Sequence, residues 1–370
     1  MDVASMSQET QPASAPGRPV VLRTERLSKH FGRLTAVQNL NLEVHQGDVF
    51  GLLGPNGSGK TTTLRMILGL IWPTEGQISL FGSYMEDDAQ RRAALQRIGA
   101  IVEQPAFYPY LNGRENLQGV ATFAGLPGSD ATNARIDEVL AQVGLAPRAR
   151  DAYKRYSLGM KQRLGIAAAL LTQPELIILD EPTNGLDPAG MVEVRALIGQ
   201  LAQRGITVLL SSHLLHEVQQ VCTRVAILNR GELVTQGEVA QLLAAQGGIQ
   251  FGFADPDLLY RAASALHEIV GTPDVPWLRG VRYVPPEPGA WVPPGGWLLL
   301  VDAPPEQAAA VNAMLGARGI YASEVRRREA SLERFFLALT SGQPAPPAQF
   351  APPPAFSSAP TYPRPMAPQE

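Results

Sequence analysis

The sequence predicts an α/β domain built around a phosphate-binding loop, followed by a smaller α+β domain. Apolar strand-like runs alternate with helical patterns over residues 20–240, an order typical of α/β domains. A glycine-rich loop in this region separates a buried strand from a helix. Residues 248–340 then follow the order strand–helix–strand–strand–helix–strand, which is that of a ferredoxin-like fold.

The strands of the α/β domain fall into two groups. Val20–Leu27 and Leu40–Val44 are predicted as antiparallel strands. The predicted core strands are Phe50–Leu53, Ala100–Val102, Leu176–Leu179, Ile206–Ser211 and Arg224–Leu228. Residues 105–171 are mainly helical in pattern, with breaks at proline and glycine. We therefore expect a helical subdomain inserted into the core.

The second domain is predicted from its own alternation. Its expected strands and helices are Ile249–Phe253, Leu258–Ile269, Val281–Val284, Trp297–Asp302, Pro305–Ala317 and Ile320–Arg326. A proline-rich stretch over 285–294 is the predicted loop between the middle strands. Residues 1–19 and 341–370 are rich in Pro, Ala and Ser, so we expect disordered tails.

Bulk properties exclude some classes of protein. A net charge of −3, from 31 basic and 34 acidic residues, leaves no electrostatic footprint for nucleic acid. The single Cys222 cannot form an internal disulfide and is expected to be buried as a small apolar residue. No apolar stretch reaches about 18 residues, and the N-terminus lacks the pattern of a signal peptide. We therefore expect no membrane span of its own.

The phosphate-binding loop is Gly54-Pro55-Asn56-Gly57-Ser58-Gly59-Lys60-Thr61, followed by Thr62 in the helix. Glycines allow backbone N–H groups to turn toward an anion, and the helix directs its positive end to the same place. Lys60 is expected to contact the β- and γ-phosphates, and Thr61 to offer its hydroxyl to Mg²⁺.

Two acids follow a buried strand. Asp180 and Glu181 come directly after the predicted strand over 176–179. The carboxyl ends of parallel strands meet at the edge of the sheet where ligands bind. Asp180 is therefore a candidate ligand of Mg²⁺, and Glu181 is a candidate base for the attacking water.

Together with the motifs that follow, these residues resemble those of ATP-binding-cassette (ABC) ATPases over residues 22–237. Phe31 aligns with an aromatic residue that stacks on adenine. Ser157 and Gly159, in Tyr-Ser-Leu-Gly-Met, resemble the family's signature motif. Asp187 matches the D-loop, and His213 matches the switch histidine that contacts the γ-phosphate. The resemblance implies ATP hydrolysis with Mg²⁺, catalysed by Lys60, Glu181 and His213.

Three positions depart from the family pattern. Leu158 replaces a signature glycine and Met160 a glutamine. Glu103 aligns with the glutamine that senses Mg²⁺, although a shift of one residue would bring Gln104 to that position. A glutamate there adds a negative charge near the phosphates, so we expect it to slow or retune turnover.

The run from Glu103 to Leu117 resembles a narrower group, the bacterial exporter ATPases for bacitracin, lantibiotics and related drugs. This resemblance implies a dimer of two such subunits, most simply a homodimer, with a separate membrane permease. It places the chain at the cytoplasmic face of the plasma membrane. The permease contact is expected near Phe107, Tyr108, Tyr110 and Leu111, unless these side chains pack within the subdomain.

Two alternatives stay open from the sequence. A soluble ABC protein acting on ribosomes or DNA normally has two cassettes or a long coiled-coil insertion, and this chain has one phosphate loop and no heptad run. A regulatory protein that binds nucleotide as a switch is the other alternative. Glu181 and His213 argue against it, whereas Glu103, Leu158 and Met160 keep it open.

Overall fold

A computed structural model describes residues 17–103, 106–244, 247–284, 297–328, 331–333 and 336. The strands of the α/β domain are β1 (Val20–Phe31), β2 (Leu34–His45), β3 (Val49–Leu53), β4 (Glu75–Leu80), β5 (Ser83–Tyr84), β6 (Ile98–Ile101), β7 (Leu176–Leu179), β8 (Thr207–Ser212), β9 (Arg224–Asn229) and β10 (Glu232–Glu238). Its helices are α1 (Lys60–Ile67), α2 (Asp88–Leu95), α3 (Gly113–Phe123), α4 (Asp130–Gln142), α5 (Leu158–Leu170), α6 (Pro188–Gln203), α7 (Leu215–Val221) and α8 (Val239–Ala244).

The central sheet carries the site. Its strand order is β10-β9-β3-β8-β7-β6, in which β10 is antiparallel to β9 and the other neighbours are parallel. All five predicted core strands are present, with ends that differ by at most two residues. The carboxyl ends of β3, β7 and β8 therefore lie side by side at one edge, where ligands of such sheets bind.

The second sheet has the order β2-β1-β4-β5 and is antiparallel. Its register pairs Leu22 with Val44 and Leu27 with Leu40, which confirms the predicted antiparallel pair. The hairpin extends further than predicted, to Phe31 and Leu34. Leu27 and Leu40 are fully buried in a cluster shared with the central sheet, so burial fixes this register.

The helical subdomain consists of α3, α4 and α5, as predicted. From Leu164 to Leu170, helix α5 is apolar on all sides, because it packs against both the other subdomain helices and the central sheet. Leu164, Ile166 and Leu170 are at most 1% exposed in the resulting core. The helix thereby connects the signature residues at its start to the core of the domain.

The N-terminal boundary begins earlier than predicted. The Arg18 guanidinium lies 2.9 Å from the buried carboxylate of Asp48, and the carbonyl of Pro19 accepts a 2.8 Å hydrogen bond from the Gln46 amide. Folded contacts therefore include at least the last two residues of the predicted tail. Residues 1–16 and the predicted tail over 341–370 lie outside the described residues.

The C-terminal unit contains β11 (Gly248–Phe253), α9 (Pro256–His267), β12 (Gly280–Val284), β13 (Trp297–Asp302), α10 (Ala308–Gly316) and β14 (Glu324–Arg328). Its antiparallel sheet has the order β12-β13-β11-β14, and its element order is the predicted one. The predicted loop over 285–294 lies outside the described residues.

The last strand starts later than predicted. Its expected start, Ile320, is buried in the C-terminal core, and its amide donates to the carbonyl of Leu315 at the end of α10. Pairing with β11 begins at Ser323, whose amide donates to Gly252 at 2.8 Å. Residues 320–323 were predicted as part of the strand because Ile320 is apolar. It is apolar because it packs into the core after α10, and not because it pairs with β11.

Cys222 directly follows α7 and is buried as expected, and burial raises the pKa of its thiol well above the ordinary value.

Across the described segments of the chain, no helix has the length and apolar content that a bilayer span requires.

Candidate functional site

The phosphate loop has the backbone geometry that glycine permits. Gly54 has φ +152°, and a Cβ there would lie 2.3 Å from the carbonyl oxygen of Leu228. Gly59 has φ +101° and immediately precedes α1, so no side chain caps the helix. The N–H groups of the first turn therefore have no partner within the helix and are available to an anion.

Lys60 is held inside the loop. Its Nζ donates to the carbonyl of Gly54 at 2.8 Å and to that of Pro55 at 3.2 Å. The same Nζ lies 3.4 Å from a carboxylate oxygen of Glu181. The lysine thus brings its charge between the loop and the end of β7, and its contact with phosphate stays a prediction.

Asp180 is a nearly buried carboxylate beside the loop. The hydroxyl of Thr61 donates to it at 3.0 Å, and the hydroxyl of Ser211 donates at 2.5 Å. Within the described part of the chain, no basic side chain lies within ion-pair distance of Asp180. A buried negative charge with hydroxyl partners fits a divalent cation that prefers hard oxygen ligands.

Glu181 and His213 form a close pair. The His213 Nδ1 lies 2.6 Å from a Glu181 carboxylate oxygen. The backbone of Glu181 has φ +49°, a conformation that is uncommon for a non-glycine residue and is frequent at functional sites. The two residues come from the ends of β7 and β8, so the sheet places them together although 32 residues separate them.

Ser211 is a site residue that the sequence reading did not identify. Its hydroxyl donates to Asp180 and accepts a 2.9 Å hydrogen bond from the amide of Glu181. It therefore fixes both acids at once. Its position at the end of a predicted strand, two residues before His213, does not by itself distinguish it from other serines.

The loop opens onto a cavity of about 420 Å³. It is lined by Phe31, Leu34, Thr35, Ala36, Asn56, Gly57, Ser58, Gly59, Lys60, Thr61, Thr62, Glu181 and Asn184. Phe31 is half exposed and lies at the end of the first hairpin strand, on the same cavity as the phosphate loop. This placement suits a flat base stacked on Phe31 with its phosphates on the loop. Asn184 was not predicted.

Glu103 lines a second cavity, which it shares with Asp180 and Glu181. Its side chain forms an ion pair with Arg65 of α1, and its backbone has φ +68°. The pair compensates the charge that glutamate adds at this position, and Arg65 was not predicted. Gln104 lies outside the described residues.

Ser157 and Gly159 of the signature and Asp187 of the D-loop line neither cavity, although Leu158 of the signature lines the second one. The Ser157 side chain caps α5 by accepting a 3.3 Å hydrogen bond from the Met160 amide, and Gly159 is buried in its first turn. Asp187 caps α6 in the same way, accepting from Gly190 at 3.3 Å. None of Ser157, Gly159 and Asp187 is among the residues that line the phosphate-loop cavity. Within one chain, they are therefore not brought to the predicted nucleotide.

The predicted aromatic surface is only partly exposed. Tyr110 is 82% exposed and Tyr108 is 61% exposed, whereas Phe107 packs edge-on against Tyr153 at 5.3 Å. The exposed Phe123 of α3 lines a groove with Phe107 and Tyr108. Phe123 was missed because it lies 13 residues after Tyr110, the last aromatic residue of the predicted run, although the fold brings it to the same groove as Tyr108.

Comparison with known proteins agrees with this geometry. The family model described as ABC transporter matches residues 37–184. The bacitracin transport ATP-binding protein BcrA of Bacillus licheniformis is 50% identical over 217 residues, covering 58% of this chain and 69% of that protein. The lantibiotic transport ATP-binding protein SrtF of Streptococcus pyogenes is 38% identical, covering 59% of this chain and 91% of that protein.

Solved structures give the same fold. An ATP-binding subunit of an ABC transporter matches with a TM-score of 0.53 and 30% identity, over 60% of this chain and 91% of that one. A dimeric ATP-binding cassette in a post-hydrolysis state, bound to ADP and phosphate, matches with a TM-score of 0.53 and 27% identity, over 59% and 98%. With the sequence relatives, these matches assign the chain to the ABC transporter family as an ATP-binding subunit that hydrolyses ATP.

Proposed function

We propose that this chain drives export of a drug or peptide through a separate membrane permease, as a peripheral subunit at the cytoplasmic face of a bacterial membrane. The juxtaposition of Lys60, Glu181 and His213 at one sheet edge carries the proposal, since it equips the chain to hydrolyse ATP. The names of BcrA and SrtF refer to transport of bacitracin and of a lantibiotic, which supports a substrate of that class.

In the proposed reaction, Glu181 accepts a proton from the water that attacks the γ-phosphate. His213, 2.6 Å from the Glu181 carboxylate, orients that carboxylate and contacts the γ-phosphate. Lys60 and the N–H groups at the start of α1 stabilise the charge that develops on the phosphate oxygens. The Lys60 contacts with two loop carbonyls are those that an arriving phosphate would replace.

We assign a magnesium site to Thr61 and Asp180, with Glu103 or Gln104 as a further ligand. The nearly buried Asp180 carboxylate and the Thr61 hydroxyl 3.0 Å away are hard oxygen donors of the kind that Mg²⁺ prefers. When bound, Mg²⁺ neutralises charge on the transferred phosphate. Because Glu103 forms an ion pair with Arg65, it can act as a magnesium ligand only after that pair opens.

The proposed active assembly is a homodimer. Ser157 and Gly159 lie at the start of α5, and Asp187 lies at the start of α6. Because helix N-termini attract anions, Ser157 and Gly159 suit the γ-phosphate bound to a second subunit. Two chains arranged head to tail would thereby complete two sites.

The proposed permease contact is the apolar groove of the helical subdomain. Tyr108 and Phe123 line it, and both are more than half exposed. Exposed aromatic side chains around a groove are typical of protein interfaces. Nearby Tyr110 extends the same surface. The transport names of the relatives favour this assembly over a purely regulatory nucleotide switch.

Glu181→Gln tests the assignment of the base. We expect ATP turnover to fall by about 10²-fold or more, because the amide cannot accept the proton. ATP binding should persist, because the phosphate loop is unchanged, and the ATP-bound dimer should accumulate. Turnover is measured by phosphate release, and dimerisation by light scattering during size-exclusion chromatography.

Glu86→Gln, at an exposed glutamate of the loop before α2, is the matched control and should leave turnover unchanged. Near-normal turnover of Glu181→Gln would show that another group is the base. A variant that hydrolyses little ATP but stays monomeric with ATP would contradict the dimer.

A further inference from the structure

The groove-side loop over residues 106–112, here called the aromatic loop, is bonded directly to the segment that precedes the signature. The amide of Tyr153 donates to the carbonyl of Leu111 at 2.9 Å, and the amide of Lys154 donates to that of Pro109 at 3.0 Å. Asn112 and Ala152 form an isolated antiparallel bridge. Backbone contacts therefore join the loop to a segment about 40 residues later.

Aromatic packing reinforces this junction. Phe107 packs edge-on against Tyr153, and the Tyr153 ring lies 5.9 Å from that of Tyr156. Tyr156 packs against the start of α3, where a Cβ on Gly113 would lie 2.3 Å from the tyrosine hydroxyl oxygen. The hydroxyl also donates to the carbonyl of Arg148 at 2.8 Å. The absence of a side chain at Gly113 is thus what lets Tyr156 approach.

Asn116 of α3 closes the aromatic loop. Its side chain is buried, and its Oδ1 accepts a 2.8 Å hydrogen bond from the Tyr108 amide. Its Nδ2 lies within hydrogen-bond distance of the carbonyls of Tyr108, Leu111 and Asn112, at 3.2, 3.3 and 3.0 Å. One buried amide therefore satisfies both ends of the loop. Truncating it would leave the Tyr108 amide without its acceptor, whereas the three carbonyls would keep only their backbone donors.

We propose that Asn116 is a positioning residue that holds the aromatic loop and the N-terminus of α5 as one unit. Tyr156 directly precedes Ser157, so the junction at Tyr153–Tyr156 sets the direction in which Ser157 enters the helix. A displacement of the groove then displaces the side chain that would reach the partner's nucleotide. The inference rests on the proposed head-to-tail dimer. The contacts at Tyr153–Tyr156 are those that connect the groove to Ser157, which would face the partner's nucleotide.

Asn116→Ala in the Glu181→Gln background tests this role. We expect the ATP-dependent dimerisation constant to weaken about fivefold or more, because the hydrogen bonds that fix the loop are lost. Binding of a fluorescent ADP analogue without divalent ions should change less than about twofold, because the phosphate loop lies on β3 and α1 and its bonds are untouched. A general loss of folding would weaken both measurements together.

Gly113→Ala is the second variant. It keeps Asn116 but forces the Tyr156 hydroxyl away from α3, and alanine does not weaken a helix. As for Asn116→Ala, we expect dimerisation to weaken and nucleotide binding to be retained. Hydrogen exchange should rise over residues 106–112 and 152–158 in both variants. Thr122→Ala, at an exposed hydroxyl on the same helix, is the matched control and should change neither measurement.

The outcomes separate the two proposals. If the Glu181→Gln parent does not dimerise with ATP, the proposed dimeric assembly is wrong and this inference falls with it. If the parent dimerises and neither Asn116→Ala nor Gly113→Ala weakens dimerisation, the inference alone is overturned. Equal losses of dimerisation and nucleotide binding would also overturn it. They would indicate that Asn116 and Gly113 stabilise the fold in general and do not act specifically on the start of α5.

Discussion

At the scale of single residues, the site depends on hydroxyl and amide partners as well as on its charged groups. Lys60, Thr61, Asp180 and Glu181 were predicted from the sequence, because each lies in or directly after a short local pattern, and His213 was predicted from the family resemblance. Ser211 could not be predicted, because its role follows from contacts with residues about 30 positions away. A lone serine at a strand end has no pattern that distinguishes it.

Ser211→Ala should therefore lower turnover while ATP binding changes little. The variant loses the hydrogen bond to Asp180 and leaves the Glu181 amide without its acceptor. A cost of about 1–3 kcal/mol in the transition state corresponds to roughly a fivefold to 150-fold lower kcat. Steady-state ATPase assays give kcat and KM separately.

Thr207→Ala is a suitable control for Ser211→Ala. Thr207 is also fully buried and begins the same strand, where its hydroxyl accepts from the Gly47 amide at the end remote from the site. We expect it to affect stability more than kcat. Equal losses of kcat in both variants would show that Ser211 acts only through the folding of β8.

At the scale of elements, a buried polar contact joins strands of the two sheets. His45 ends β2 and is fully buried, and its Nδ1 accepts a 2.6 Å hydrogen bond from the Arg224 guanidinium at the start of β9. Asp48 lies 3.7 Å from the same nitrogen and pairs with Arg18. Burial first, and then Arg224, lowers the pKa of His45, while Asp48 and Glu43 act in the opposite direction.

This contact should make the folded state sensitive to acid. Because the folded pKa of His45 is below its ordinary value, the unfolded chain takes up the proton first, and stability is lost as the pH falls below about 6.5. His45→Asn retains an acceptor for Arg224 but cannot titrate. We expect the unfolding free energy of this variant to depend less on pH between 7 and 5, measured by denaturant titration.

His30→Asn is the matched histidine control, because His30 lies only partly buried and contacts Thr35. It should keep the pH dependence of the parent chain. An unchanged slope in His45→Asn would contradict a neutral buried His45. At this scale, the sequence predicted which strands exist but not that His45 and Arg224 meet.

At the scale of the whole molecule, the end of the described chain returns to the α/β domain. Leu332 follows β14 by a few residues, yet it is fully buried in the core cluster of the α/β domain. Its amide donates to the Gln219 side chain of α7 at 3.2 Å. Phe336 packs against the same cluster. The C-terminal unit is therefore attached to the α/β domain at both of its ends.

Leu332→Ala should destabilise this attachment. Removing a fully buried leucine side chain from a packed core costs about 2–5 kcal/mol, so the thermal unfolding midpoint should fall by several degrees. Calorimetry or circular dichroism measures that midpoint. Val325→Ala, at a 40% exposed position on the neighbouring strand, is the control and should have a small effect. Equal midpoints in the two variants would contradict burial of Leu332.

The sequence by itself determined the chemistry and the order of the elements. Phosphate loops, strand-end acids and amphipathic periods are local patterns, so residues 54–61 and Asp180-Glu181 were readable without a structure. Tertiary structure alone decided which distant groups meet. Ser211 on the two acids, Tyr153 on the aromatic loop and Leu332 in the other domain's core depend on long-range packing. Such packing is a property of the whole fold, and no short stretch of sequence encodes it.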